Sequence, residues 1–183
     1  MDVMEFFQLS TGRWRSQRTT HHLAFKLSET GESEIQVKAL AADHPQVIEI
    51  CQLHEVDPGA AIGGAFVSWQ GAMEWDKKDD NHEGSTVFVL IPDAALPRQG
   101  ILLRERGYAE DVPVSGRYHM DDGDGLVLTT EYGVMSTIER FWFASPSFRL
   151  RTSTVKLHGG FTTATFCTEL RLAETPDMAA SRD

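Results

Sequence analysis

The sequence predicts an all-β chain, an antiparallel barrel or sandwich of about eight to ten short strands with one helix near the start. Three observations lead there. Apolar and polar residues alternate over run after run, which is the period of a strand with two unlike faces. Clusters of Gly, Asp, Asn and Pro separate these runs at short intervals. Sustained helical spacing is convincing in one place only, around residue 50.

Residues 4–9, MEFFQL, read as a short helix or cap that ends at Ser10-Thr11-Gly12. From there the spacing is that of a strand: Trp14, Ser16, Arg18, Thr20 and His22 fall on one face, and Arg13, Arg15, Gln17, Thr19 and His21 on the other. His21 and His22 therefore diverge and are no metal pair. A second alternating run, 32–40, sets Ile35 and Val37 against Glu34, Gln36 and Lys38, with Glu29-Thr30-Gly31-Glu32 as its turn. The helix follows. Asp43 is positioned to cap it, Pro45 suits its first turn, and Val47, Ile50, Cys51 and His54 recur at helical spacing until Asp57-Pro58-Gly59 stops it.

Every later segment reads as strand. Residues 60–77 alternate so that Val67, Trp69, Gly71, Met73 and Trp75 share a face. GSTVFVLIPD is a compact apolar run, and residues 100–120 are strand broken by turn residues. DDGDG, 121–125, is a turn: it has the acidity of a calcium loop without the ligand spacing or the terminal glutamate. LVLTTEYGVM, TIERFWFAS, FRLRTSTVKL and FTTATFCTELRL complete the series, and 173–183 is expected to be a disordered tail.

Composition narrows the function. The chain has 183 residues, enough for one core, and 17 basic against 27 acidic side chains give a net charge of -10. Such a surface repels a phosphate backbone, which argues against nucleic acid. The N-terminus is acidic and no stretch approaches the ~20 apolar residues of a membrane span, so a cytoplasmic protein is expected. Two cysteines, Cys51 and Cys167, make neither a disulfide framework nor a zinc site, and both are expected to be reduced and buried. No basic neighbour of Cys167 is evident along the chain.

The stretch 147–157, SFRLRTSTVKL, carries the sharpest question. Arg149, Arg151 and Ser153 share one strand face. Facing outward, the arginines are an ordinary solvated surface; facing inward, they require carboxylate or phosphate partners. The preceding strand places Thr137, Glu139, Phe141 and Phe143 on one face. A three-residue loop, 145–147, sets Glu139 opposite Ser153 and Phe141 opposite Arg151, whereas a four-residue loop brings Arg140 there instead. The first register is favoured because the second repels itself. Glu139 is then either a structural ion-pair partner or a proton donor. Trp69, Met73 and Trp75 likewise suit either a packed core or the wall of a cavity, with Gly71 leaving a gap among them.

Taken together, FFQLSTGRWRSQRTTHHLAF, AIGGAFVSWQGAMEWDK, ILLRERGYAEDVPVSGRY, ERFWFASPSFRLRTS and GGFTTATFCTELR resemble the S-type phycobiliprotein chromophore lyases, the CpcS/CpeS family, over nearly all of residues 6–172. The resemblance implies a lipocalin-like or fatty-acid-binding-protein-like barrel of about ten strands, forming a single bilin-binding domain over 1–172. It implies a lyase that binds free phycocyanobilin or phycoerythrobilin as substrate, with no further cofactor or metal, and attaches it as a thioether to a cysteine of an apo-phycobiliprotein α or β subunit. The family's arginines match at Arg18, Arg149 and Arg151, its tryptophans at Trp14, Trp69 and Trp75, its acid at Glu139 and its serine at Ser153. On that basis Glu139, Arg149, Arg151 and Ser153 are the expected catalytic group, and Arg18, Trp69, Met73, Trp75, Arg149 and Arg151 the expected bilin contacts. A homodimer and a pair with a related lyase subunit remain open. So do two other functions, a non-catalytic bilin carrier or chaperone and a barrel for fatty acids or other small anions.

Overall fold

The computed structural model describes residues 1–74, 82–105, 114–133, 135–157, 159–160 and 162–173. The tail expected at 173–183 therefore lies outside the described residues from 174 onward, as does Trp75. Helix α1 (Val3–Ser10) starts in a capping box: Asp2 accepts from the Glu5 backbone N–H at 2.8 Å, and Glu5 accepts from that of Asp2 at 2.8 Å. Its apolar residues Val3, Phe6 and Phe7 are buried.

Helix α2 (Pro45–Leu53) lies where the sequence predicts it, but its cap is His44 rather than Asp43. The residue before a proline is confined to extended backbone, so His44 (φ -65, ψ 135) is the last non-helical position and Pro45 the first helical one. The His44 Nδ1 then accepts from the Gln46 N–H at 3.3 Å. A single 3-10 turn, Pro58–Ala60, follows with Asp57 as its cap.

Ten antiparallel strands are present among the described residues: β1 (Gly12–His22), β2 (Leu27–Leu40), β3 (Gly63–Met73), β4 (His82–Pro92), β5 (Gln99–Arg104), β6 (Val114–Met120), β7 (Leu126–Tyr132), β8 (Met135–Ser145), β9 (Phe148–Leu157) and β10 (Thr162–Arg171). Each pairs with its neighbours in sequence, and β1 pairs with both β2 and β10, so the sheet closes into a barrel rather than a sandwich. Closure gives every one of these strands a partner on both sides.

One turn differs from expectation. Glu29-Thr30-Gly31-Glu32 is continuous strand within β2, and the chain reverses earlier, at 23–26, where Phe25 N–H bonds to the His22 carbonyl at 3.1 Å and Lys26 takes φ +53. Gly31 serves a packing need. A Cβ there would meet the Met73 sulfur at 2.6 Å and Arg18 Nε at 2.9 Å.

The β8–β9 register is the favoured one, with Glu139 opposite Ser153 and Phe141 opposite Arg151. A bulge between Phe143 and Ser145 lets Ser145 pair with Phe148, so the loop itself shortens to Pro146-Ser147 without changing that register. DDGDG is a turn: Asp121 accepts from the N–H groups of Gly123 at 2.9 Å and Gly125 at 2.8 Å, and from Arg140 Nε at 2.6 Å.

The two helices do different work. α1 plugs one end of the barrel, where Phe6 and Phe7 pack with Leu90, Leu102, Tyr118, Leu126 and Leu128. Phe6 meets Phe143 at 5.0 Å between ring centroids and Phe7 stacks near Phe88 at 6.4 Å. Helix α2 lies on the outside, covering Val87, Val89 and Leu103 with Val47, Ile50 and Cys51. The strand ends remote from α1 form the opposite end, where the 23–26 turn lies.

Candidate functional site

Side chains at alternate positions on four consecutive strands, β1, β10, β9 and β8, build the site, and the ladder register aligns them in rows. Nearest the α1 plug, Ser16, Glu169, Arg149 and Phe143 form one row. The next is Arg18, Cys167, Arg151 and Phe141; the next Thr20, Thr165, Ser153 and Glu139; the last His22, Thr163, Val155 and Thr137.

The arginines face inward, and carboxylates meet them. Arg149 Nε donates to Glu169 Oε2 at 2.6 Å, with both side chains almost wholly buried. Arg151 lies between two acids, with Nη1 at 3.5 Å from Glu139 Oε1 and Nε at 3.6 Å from Glu169 Oε1. Charges thus alternate along Arg149, Glu169, Arg151 and Glu139, and their sum is zero. Isolated charges would be untenable at this depth, whereas alternating ones compensate one another. Aromatic faces complete the shell: the Arg149 guanidinium lies 4.7 Å from the Trp14 ring centre and that of Arg151 5.5 Å from Phe141.

Trp14 belongs to the closed end. Its indole N–H donates to the Ser10 carbonyl at 2.8 Å, and Arg171 covers its ring at 4.2 Å while donating to the carbonyls of Leu9 and Thr11. Arg149 therefore joins the wall of the cavity to the plug.

Arg18 is different. Its guanidinium donates to the Met73 thioether through Nε, at 3.0 Å, and through Nη2, and no carboxylate among the described residues pairs with it. A sulfur acceptor is weak. The site thus carries one positive charge beyond its internally balanced set, held by a contact that an anion readily replaces.

These groups line a cavity of about 570 Å³, within the roughly 300–1,000 Å³ range of small-molecule sites. Phe6 and Phe7 form its floor; Arg18, Arg149, Arg151, Glu139 and Glu169 one wall; Val67, Trp69, Met73 and Phe88 another. Trp69 is 37% exposed although it lines this cavity, so its indole stands ready for a ligand rather than being consumed in core packing. It rests on Gly84, its cross-strand partner, where a Cβ would come within 2.7 Å of the ring. A second space of about 260 Å³ is bounded by Thr20, Thr137, Ser153, Val155 and Thr165, and shares Arg18, Glu139 and Arg151 with the larger one.

The sequence-derived candidates Arg18, Trp69, Met73, Glu139, Arg149, Arg151 and Ser153 therefore converge on connected space. Three further groups were not singled out from sequence. Glu169 is fully buried; alternation with Cys167 was its available signal, but the neighbouring Phe166 and Leu170 disguise which face is interior. Arg104 lines the cavity from β5, donating to Thr130 Oγ1 at 3.1 Å, and is hidden in sequence by the apolar run ILLR. Thr137 is buried at the smaller space. Cys51 and Cys167 are buried and free, as expected, and burial raises the Cys51 thiol above its ordinary range with Asp57 adding to the effect. Cys167 does have a basic neighbour, because Arg151 Nη2 reaches its sulfur at 3.3 Å from the adjoining strand. Cross-strand register, invisible along the chain, supplies it.

Comparison with known proteins places this architecture. A Synechocystis protein named Chromophore lyase CpcS/CpeS 2 is 64% identical, over 99% of this chain and 94% of its own. The Picosynechococcus Phycocyanobilin lyase subunit CpcS is 61% identical, over 98% of this chain and 91% of its own. The solved structure of the S-type phycobiliprotein lyase CPES from Guillardia theta superposes with a TM-score of 0.84 at 37% identity, covering 96% of this chain and 95% of that one. The family model described as CpeS-like protein matches residues 2–172, and the chain belongs to that family.

Proposed function

We propose that this protein is a phycobilin lyase, which takes up a free linear tetrapyrrole and directs its thioether attachment to a cysteine of an apo-phycobiliprotein α or β subunit in the cytoplasm. The names carried by its relatives support the reaction class. The observation that carries the reading in this molecule is the cavity itself: amphipathic, walled by indole, phenyl and thioether on one side and by a charged lattice with one surplus cation on the other. A phycobilin such as phycocyanobilin or phycoerythrobilin is long, flat, conjugated and dianionic through its two propionates. Arg18 exchanges Met73 for a propionate, a stronger, charge-assisted acceptor. Arg151, partly accessible between two longer ion pairs, supplies the second fork. Arg149 holds Glu169, and through it the position of Arg151. Trp69 and Met73 cover the conjugated face; Trp75 is assigned the same role from the family resemblance.

Attachment adds the acceptor's S–H across the ring-A ethylidene. One S–C bond forms, the C=C π bond is consumed, and the proton remains on the bilin. Nothing leaves and no oxidant is required. The nucleophile comes from the acceptor, so the lyase contributes geometry: it fixes one bilin conformer and one face of attack. Glu139, at the Arg151 end of the charged lattice, favours the protonated, more electrophilic bilin, with Ser153 directly across the ladder from it. Delivery demands release, so an affinity near micromolar, about -8 kcal/mol, is expected.

The test is to mix free phycocyanobilin, an apo-subunit and the protein, and to follow thioether formation at equal free bilin with and without it. A lyase raises both the rate and the fraction of product at a single cysteine. A carrier raises purity alone and leaves the rate unchanged, which would overturn the catalytic reading. Repeating the assay with phycoerythrobilin and with separate α and β subunits identifies the preferred bilin and acceptor.

A further inference from the structure

The smaller space, toward the ends of β1, β8, β9 and β10 remote from α1, has a chemistry unlike the main cavity. Four hydroxyls surround it, those of Thr20, Thr137, Ser153 and Thr165, together with the aliphatic groups of Met135 and Val155. Thr20 and Thr165 satisfy each other at 3.0 Å. Thr137 does not share in this: it is 3% exposed, and its hydroxyl has no hydrogen-bond partner among the described residues. An unmade hydrogen bond on a buried hydroxyl costs roughly 1–3 kcal/mol, so such a group at a cavity wall calls for a ligand acceptor.

The occupant must match three features. It needs an acceptor for Thr137, and it has the Glu139 carboxylate on the same wall to meet a donor. It needs an apolar edge for Met135 and Val155. Arg18 and Arg151 also border this space and are the partners for the propionates, so the groups left over, Thr137 and Glu139, call for a neutral acceptor and donor side by side. A pyrrolinone ring satisfies all three: its lactam offers C=O and N–H side by side, and its alkyl substituents are apolar. We propose that this space is a subsite for one terminal lactam ring of the tetrapyrrole, with Thr137 donating to the lactam oxygen and Glu139 accepting from the lactam N–H.

A ring seated here fixes one end of the pigment. Thr137 is thus a positioning residue, which helps present the tetrapyrrole in one orientation.

This assignment rests on the bilin-lyase reading, and the experiment separates the two. Thr137→Val keeps the shape and removes the hydroxyl. It is expected to raise the melting temperature, because a buried unsatisfied group is lost, while weakening phycocyanobilin binding roughly fivefold to tenfold, the worth of about one hydrogen bond. KM for the bilin should rise, and at saturating bilin the fraction of product with a single attachment stereochemistry should fall, because that end of the pigment is no longer fixed. Thr137→Ser, which retains the hydroxyl, should restore most of the affinity. Val155→Phe fills the subsite by another route and should weaken binding and shift the visible absorption of the bound bilin. Unchanged affinity and spectrum in both Thr137→Val and Val155→Phe would overturn the subsite and leave the lyase reading standing. Failure of the unaltered protein to bind any bilin would sink that reading, and the subsite with it.

Discussion

The two halves of the barrel interior follow opposite rules. Along β4 to β7 the inward side chains are mainly apolar, with Leu90, Leu102, Tyr118, Leu126 and Leu128 packed on Phe6 and Phe7 of the plug and Arg104, bonded to Thr130, as the charged exception. Along β8, β9, β10 and β1 five charged residues, Arg18, Glu139, Arg149, Arg151 and Glu169, turn in, while Ile138, Phe166 and Leu170 stand about half exposed on the outside. In the first half, burial of hydrocarbon holds the fold together. In the second, the inward charges are tolerated because they neutralise one another, and what they create is a polar wall that water or a ligand must complete. Stability and binding are therefore concentrated in different strands of one sheet.

Matched truncations should separate the halves most clearly. Leu102→Ala is expected to cost about 2–5 kcal/mol of unfolding free energy in urea while sparing bilin affinity, since Leu102 does not line the cavity. Arg149→Ala leaves Glu169 buried without its 2.6 Å partner and should cost about 3–5 kcal/mol, with bilin binding falling as well because Arg151 loses its support. Equal binding by the two variants would erase the distinction.

Arg18→Ala sharpens it from the other side. The guanidinium's described bonds are to a thioether, so stability should move by less than about 1 kcal/mol. Bilin affinity, followed by quenching of tryptophan fluorescence, should fall roughly tenfold or more, as suits loss of a charge-assisted hydrogen bond. Unchanged affinity would remove Arg18 from the site.

Tyr118 tests whether an orphaned hydroxyl always signals a ligand. Its phenol is buried in the apolar half without a described partner, and burial pushes its pKa up to about 12. It lines neither of the two spaces of the site, so Tyr118→Phe should stabilise by about 1 kcal/mol with binding unaltered. A loss of binding would show that the halves are coupled.

The smallest effect is at the plugged end. Hydrogen bonds from Arg140, then from Gly125 and Gly123, hold the Asp121 carboxyl below the usual carboxylate range. A depressed folded pKa stabilises at pH values above the unfolded carboxylate, roughly 3.9, and that contribution is lost as pH falls through the folded value. Asp121→Asn should therefore lower the melting temperature at neutral pH, and the gap from the unaltered protein should close on acidification toward pH 3. A gap independent of pH would assign the effect to the turn geometry alone.

The same division explains what was legible in the sequence. Strand alternation located nearly every strand, and charge repulsion between candidate registers was enough to set Glu139 opposite Ser153. Where the interior is apolar, hydrophobic periodicity also identifies the inward face. In β10 that reasoning inverts: Phe166 and Leu170 point out and Cys167 and Glu169 point in, so Glu169, partner of both Arg149 and Arg151, was missed. Gly31 was misread as a turn residue because the space it leaves for Arg18 and Met73 comes from another strand. Contacts across the ladder, such as Arg151 with Cys167, have no trace along the chain. The family resemblance supplied the bilin; alternation alone reached only an inward or outward choice for the arginines.

A crystal structure of the protein with phycocyanobilin bound tests the central claim most directly. The account predicts the tetrapyrrole inside the barrel, a propionate within hydrogen-bonding distance of Arg18 in place of the Met73 sulfur, and the Arg149–Glu169 pair intact. A bilin bound on the outer face, or inside with its propionates directed at the apolar strands and Arg18 still on Met73, would contradict it.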